Sequence, residues 1–398
     1  MASRRKGRGV ATDLPGKFIV FGAPDIQRSE IDEVVDSLES GWLGTGPKVQ
    51  RFEDDFAAYR GVATNRVAAL NSCTAALHVS MLAAGIVAGD EVITTAMTFC
   101  ATVNAVIHAG GVPVPVDIEP DSLNIDPEQV ESKITSRTRA IIPVHFAGRP
   151  CDMDRLCAIA DKHDLIIIED CAHAIETEWR GRPVGTFADF GCFSFYVTKN
   201  VATGEGGMVI ARSAEAIERI KILSLHGMSK DAWHRFGDKG YKHYQVVDAG
   251  FKYNMMDLQA AIGIHQLSRV EQAWEKRREI WAEYQRAFTD VPVGTPSDPE
   301  PDTRHGHHLY TLTIDADSCG ISRDEFLVHM QESGIGVGVH YQCLAAQPYY
   351  TERFGWRSDD FPVASAFGDT TVSLPLSARL SEAEVSYIID TTRAAVGS

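Results

Sequence analysis

No apolar run in this chain of 398 residues approaches the roughly 18 to 20 needed to cross a bilayer, which excludes a membrane-spanning helix. The opening residues 1–16 are basic and contain glycine but no apolar signal core, so they read as a flexible leader on a soluble, cytoplasmic protein. The eight cysteines show no CxxC pair and no regular spacing, and they sit mostly among apolar neighbours. That argues against a disulfide frame or a zinc site and for reduced, buried thiols. Positive charge is also short: 38 Lys and Arg face 54 Asp and Glu, a net charge of -16. A nucleic-acid coat needs a basic face, so that class of partner is excluded, although one local anion site is not.

What is present is apolar material, 44% of the chain, enough for a large core and a smaller one. To about residue 225, short β-branched runs alternate with helix-like stretches. The strands are expected at 67–70, 92–95, 112–118, 140–146, 165–169, 191–196 and 207–211. Helices are expected at 73–84, 102–109, 152–163 and 214–225. The alternation predicts an α/β domain with a mostly parallel seven-stranded sheet covered on both faces. Residues 255–288 contain no proline and one early glycine and read as a single long helix. Its Trp274, Trp281 and Tyr284 are spaced as core or dimer-interface residues. A strand at 308–314, a helix at 322–333, a strand at 335–339 and a helix at 381–396 complete a small C-terminal α+β domain. The boundaries expected are 17–265 and 266–398.

Three segments carry chemistry. In LIIIEDC, four aliphatics run into Glu169 and Asp170 at a strand end, where ligands collect in parallel sheets; taken alone, Asp170 could equally cap the next helix, and His173 has the same ambiguity. In GCFSFYVTKNVATGEGGM, Lys199 follows a strand and precedes a glycine-rich turn. A lysine so placed can reach a cleft as a neutral nucleophile for a carbonyl cofactor, or remain a solvated surface lysine. In NSCTAAL, small hydroxyl residues at a strand-to-helix junction free the first N–H groups of the helix as a phosphate seat, or simply cap it.

With these three elements in this order, the sequence resembles the DegT/DnrJ/EryC1/StrS family, sugar aminotransferases of pyridoxal-phosphate fold type I. The likeness runs from about Ile26 to the C-terminus. It includes SGWLGTGPKVQRFE (Ser40 to Glu53), NSCTAAL, AMTFCATVNAV (Ala96 to Val106), VHFAGRPCDMD (Val144 to Asp154) and IEDCAHA. It continues through FSFYVTKNVATGEGGM, GFKYNMMDLQAAIG (Gly250 to Gly263) and VHYQCLAAQPYY (Val339 to Tyr350). The resemblance implies pyridoxal 5'-phosphate as cofactor, alternating with pyridoxamine phosphate. Lys199 matches the lysine that joins the cofactor and shuttles the proton. Asp170 matches the carboxylate that keeps the pyridine nitrogen protonated. Phe99 matches the aromatic stacked on the ring, and His173 the neighbour of the phenolic oxygen. Cys73, Thr74 and Ser194 match the phosphate residues, with Asn254 supplied by the other subunit, which implies an obligate homodimer with composite sites. Thr45, His340 and Tyr341 are expected to line the sugar and nucleotide path.

The substrate so implied is a nucleotide-linked keto sugar, aminated from glutamate, at C4 of a 4-keto-6-deoxyhexose in preference to C3. A cyclitol or aminoshikimate-type ketone is an alternative. Relatives that deoxygenate sugars carry histidine where Lys199 stands, and a regulator would have lost Lys199 or Asp170. Two departures from the family pattern, Tyr196 to Thr198 and Arg149, point toward the substrate pocket. The three histidines of RHGHH (Arg304 to His308) lack a helical i, i+4 pair and a carboxylate partner, so no metal is expected there. The GTG at Gly44 to Gly46 lacks the third glycine and preceding strand of a dinucleotide fingerprint.

Overall fold

A computed structural model describes residues 18–229 and 244–397. The expected leader lies outside the described residues. The chain enters through the helices Arg28–Ser40 and Pro47–Arg60 and then builds its sheet from β1 (Val67–Leu70), β2 (Glu91–Thr95), β3 (Val112–Val116), β4 (Thr138–Ile142) and β5 (Ile166–Asp170). A two-residue hairpin of β6 (Glu178–Trp179) and β7 (Arg182–Pro183) intervenes before β8 (Phe190–Ser194) and β9 (Gly207–Ala211). The spatial order is β1-β9-β8-β5-β4-β2-β3, with β9 alone running against the rest. The expected seven-stranded, mostly parallel sheet is what forms.

Alternation of side chains explains why the strands read as continuous apolar runs. Ile167, Phe193, Met208 and Ile210 point into a core with Phe52, Phe56 and Phe195. Their neighbours Ile168, Cys192 and Val209 point the other way, onto Leu77, Met81 and Ile220. Helices start where short polar side chains cap them: Ser72 accepts from Ala75 N, Asp152 from Arg155 N and Ser213 from Ala216 N. None of the eight cysteines is paired, and six are buried.

A separate core is built from Trp281, Tyr284, Phe288, Tyr310, Phe326, Ile335 and Ile388. It underlies a two-stranded antiparallel sheet of β10 (Tyr310–Thr313) and β11 (Thr371–Leu374), with helices Arg323–Glu332 and Glu382–Ala395. Tyr284 and Trp281 are thus core residues, and Trp274 donates Nε1–H to the His305 carbonyl at 2.8 Å.

Two expectations are corrected. The long helix at 255–288 is two helices, Asp257–Ser268 and Val270–Ala287, parted at Arg269 (φ -111, ψ 7). No proline or glycine marks the break. The Arg269 guanidinium is drawn to Glu30 at 2.6 Å and to the Asp25 and His265 carbonyls. The strand expected at 335–339 is not continuous either. Its backbone is shared between two partners, Ile335 bridging to Ile19 and Gly338 to Ser373.

Candidate active site

The strand ends of β5 and β8, the start of helix Cys73–Ala83 and the segment around Tyr341 converge on one cleft. Asp170 closes β5 and is buried. Its Oδ2 accepts from Thr102 Oγ1 at 2.8 Å and its Oδ1 from Ala172 N at 3.1 Å, while Cys73 Sγ stands 4.0 Å away. Thr102 is in turn 2.8 Å from Thr98 Oγ1. Burial pushes the Asp170 pKa up, against the pull of these hydrogen bonds and of Lys199. The carboxylate is therefore short of a positive partner.

Lys199 lies in the turn after β8, where its N–H donates to the Tyr196 carbonyl at 2.8 Å. Burial pushes its ammonium down to about 8, although Cys73 and Asp170 pull the other way. No hydrogen bond or ion pair holds its Nζ among the described residues. A lysine so lowered keeps on the order of a tenth of its amine free at pH 7, far more than an ordinary lysine does, which suits a nucleophile.

Beside the lysine, Ser72 caps the helix by accepting from Ala75 N, while the Cys73 and Thr74 N–H groups at the helix start have no partner within the helix. The strands bring Ser194 opposite Gly207, and a Cβ on Gly207 would come within 2.4 Å of the Ser72 carbonyl carbon. Only glycine allows β9 to lie this close to the helix start. Gly207→Ala is expected to push the helix start away and weaken cofactor retention by about tenfold or more, with the fold intact; dialysis against cofactor-free buffer followed by absorbance checks it.

His173 accepts the Ala147 N–H on Nδ1 at 3.2 Å, so its Nε2 carries the proton and donates to Tyr341 Oη at 3.0 Å. Phe99 is 58% exposed and its ring centroid lies 6.0 Å from that of Tyr341. His340 packs on Phe21 at 5.3 Å and approaches Ser373 Oγ at 2.9 Å. Burial and then Lys199 hold His173 well below the usual imidazole range and His340 down to about 4. Both are neutral, so Lys199 has no cationic neighbour in them.

Asp170, Lys199, Cys73, Thr74, Ser194, His173, Phe99, His340 and Tyr341 thus gather in one region. Thr45 and Asn254 pair with each other instead: Asn254 Nδ2 donates to Thr45 Oγ1 at 2.6 Å, and Thr45 donates to the Met255 carbonyl at 2.5 Å. Arg149 is corrected outright as a pocket residue. It is buried, grips Glu300 and Ser297 and binds the Asp121 and Asp298 carbonyls, so it anchors the 297–300 loop.

Thr98 and Thr102 belong to the site as well, and their i, i+4 spacing at a helix start is the signal in the sequence that two hydroxyls share a face. His308, expected only as the start of a strand, also reaches the site: its ring lies 4.4 Å from that of His173. The buried group of His145, Glu169 and Cys171 is not a ready metal site. His145 Nδ1 accepts the Cys151 N–H, and Glu169 accepts from Gly185, Phe187 and Ala188 N–H groups besides His145.

The model of the DegT/DnrJ/EryC1/StrS aminotransferase family matches residues 24–393. The chain belongs to that family. It is 45% identical over 377 residues to the spore coat polysaccharide biosynthesis protein SpsC of Bacillus subtilis, covering 94% of this chain and 96% of SpsC. Its structure is similar to that of the putative sugar aminotransferase Spr1654 from Streptococcus pneumoniae in its PMP form. The TM-score is 0.87 at 34% identity, over 95% of this chain and 98% of Spr1654. It is similar also to DesI, solved in the presence of its TDP-sugar product, with a TM-score of 0.83 and 30% identity over 96% of this chain and 93% of DesI.

The protein is accordingly a pyridoxal-phosphate-dependent sugar aminotransferase of fold type I. Its cleft fits that cofactor on three counts: a buried carboxylate wanting a cation, helix-start N–H groups without helical partners for a phosphate, and a low-titrating lysine. Among the described residues no helix is long and apolar enough to cross a membrane.

Proposed function

We propose that this enzyme moves an amino group from glutamate to C4 of a nucleotide-linked 4-keto-6-deoxyhexose, with Lys199 as the cofactor lysine. The observation that carries the site assignment is Lys199, half-buried and held down to about 8, in the cleft that Asp170 closes. Bound there, pyridoxal phosphate supplies the carbonyl that exchanges amino groups and a ring that takes up the electron pair of the carbon losing its proton. Lys199 carries that proton on Nζ. Asp170, fixed by Thr102 and Ala172, holds a proton on the ring nitrogen through its charge. The Cys73 and Thr74 N–H groups with the Thr74 and Ser194 hydroxyls take the phosphate. Phe99 would cover the ring, and His173 with Tyr341 would hold its phenolic oxygen.

The nucleotide sugar is supported by DesI, solved in the presence of its TDP-sugar product. His340 and Tyr341 offer hydrogen-bonding groups and a ring face suited to a sugar, while amination at C4 rests on the family resemblance. Incubation with glutamate and a panel of 4-keto and 3-keto nucleotide sugars, read by mass and NMR, tests this. The 4-keto-6-deoxy sugars are expected to give the highest kcat/KM; a 3-keto sugar or a free cyclitol ketone well above them would overturn the substrate and leave the cofactor chemistry standing.

We propose further that the active unit is a homodimer in which Asn254 reaches the partner's phosphate site. Within one chain Asn254 contacts Thr45 and Lys252 and no proposed phosphate residue among the described ones. An exposed apolar stripe of Ile31, Val35 and Leu38, continued by Trp42 and Leu43, supports a covered face. Mixing inactive Lys199→Ala chains with an inactive Asn254 variant is expected to restore up to about a quarter of the wild-type activity, by random pairing of composite sites. No recovery after proven subunit exchange would place both residues in one chain's site.

A further inference from the structure

The segment from His305 to His308 belongs to no regular element, yet it is buried and reaches the lysine turn. Asn200, the residue after Lys199, gives both amide hydrogens away: Nδ2 donates to Glu176 Oε2 at 2.8 Å and to the Gly306 carbonyl at 3.0 Å. Its Oδ1 is left as an acceptor, and His308 Nδ1 stands 2.9 Å from it. The proton of the neutral His308 ring is thereby assigned to Nδ1. Glu176 is itself paired with Arg277 at 2.5 Å, and Arg277 Nε donates to the His307 carbonyl at 3.2 Å. All of Glu176, Arg277 and His308 are buried. The same Ala147 whose N–H meets His173 accepts His308 N–H on its carbonyl at 3.0 Å. The ring of His308 is thus clamped from both sides, on Asn200 and against His173.

We propose that His308 is a positioning residue for Lys199, tying the turn that carries the lysine to the loop that precedes β10 through its hydrogen bond to Asn200. This rests on the assignment of Lys199 made above. A hydrogen bond one residue from the lysine, backed by a buried ion pair, restricts the path of its side chain toward the cofactor carbonyl. The groups whose charge Lys199 feels are Cys73, Asp170, His173, His308 and His340, and the three histidines stay neutral. Loosening the turn admits water, which favours the protonated form of the lysine-linked cofactor.

The test is made on the full-length holoenzyme with His308→Ala and His308→Gln, glutamine retaining an N–H donor. His308→Ala is expected to raise the pH midpoint of the visible band by about one pH unit. It should also slow discharge of the band by saturating glutamate about tenfold, with little change in the glutamate concentration for half-maximal rate. His308→Gln should recover most of both. Should His308→Ala fail to fold, Asn200→Ala breaks the same hydrogen bond from the other end and is read in the same two ways. A midpoint and a discharge rate equal to wild type overturn the proposal. If the wild-type protein has no lysine-linked band, the assignment of Lys199 falls and this proposal with it, which separates the two failures.

Discussion

Lys199→Ala is expected to abolish turnover and to remove the visible absorption band of the lysine-linked cofactor, while the protein stays folded. The amine is the group that joins the cofactor and carries the proton between carbon and ring, and Lys199 is the lysine whose charge reaches Asp170. Cofactor should still enter, because the phosphate seat and Asp170 are untouched. It would then be held without a covalent link and lost on dialysis. In the wild type, the amine is freed as pH rises through about 8, so band formation from cofactor-free protein is expected to accelerate across that range. Absorbance spectra and an assay with glutamate and a keto sugar measure both. Wild-type turnover in the variant would show that Lys199 is a surface residue that happens to follow a strand.

How far such a site is legible in sequence depends on whether its residues act through local pattern or through contacts distant along the chain. Leu165 to Asp170 announce a buried strand ending in carboxylates, because four aliphatics cannot face water and two acids cannot be buried without partners. Ser72 and Gly207 likewise mark a capped helix start and a close backbone approach. The partners that make Asp170 work are less visible. Thr102 looks like an ordinary helix residue until β5 is folded beside it, and the acid's need for a cation follows from burial alone. Arg149 misleads in the opposite sense. Its position near a family pocket suggests substrate, whereas its guanidinium closes on Glu300, 151 residues away. The helix break at Arg269 is invisible for the same reason, since the carboxylate that draws its side chain aside, Glu30, lies far earlier in the chain. His308 combines both difficulties, sitting in a histidine-rich run whose local reading is the start of a strand and whose actual partner is the residue after the lysine.

Asp170→Asn is the change that separates binding from chemistry at this site. The amide keeps the shape of the side chain and can still accept from Thr102 and Ala172, so the pocket should hold its form and the cofactor should bind. What disappears is the negative charge. Burial pushes the carboxyl pKa up, which means the charge is costly there until a cation stands against it. A protonated ring nitrogen is that cation, and the two groups hold each other in their charged states. Asparagine offers no such compensation, and the ring nitrogen should then lose its proton. The electron pair released at the reacting carbon has nowhere favourable to go, and a loss of several kcal/mol from that step corresponds to a fall in kcat of on the order of 100-fold or more. Substrate KM should move far less, since the carboxylate touches the ring and not the sugar. The decisive comparison is between kcat and cofactor content in the same preparation. A variant with full cofactor and a near-normal kcat would reduce Asp170 to a residue that caps the turn at Ala172.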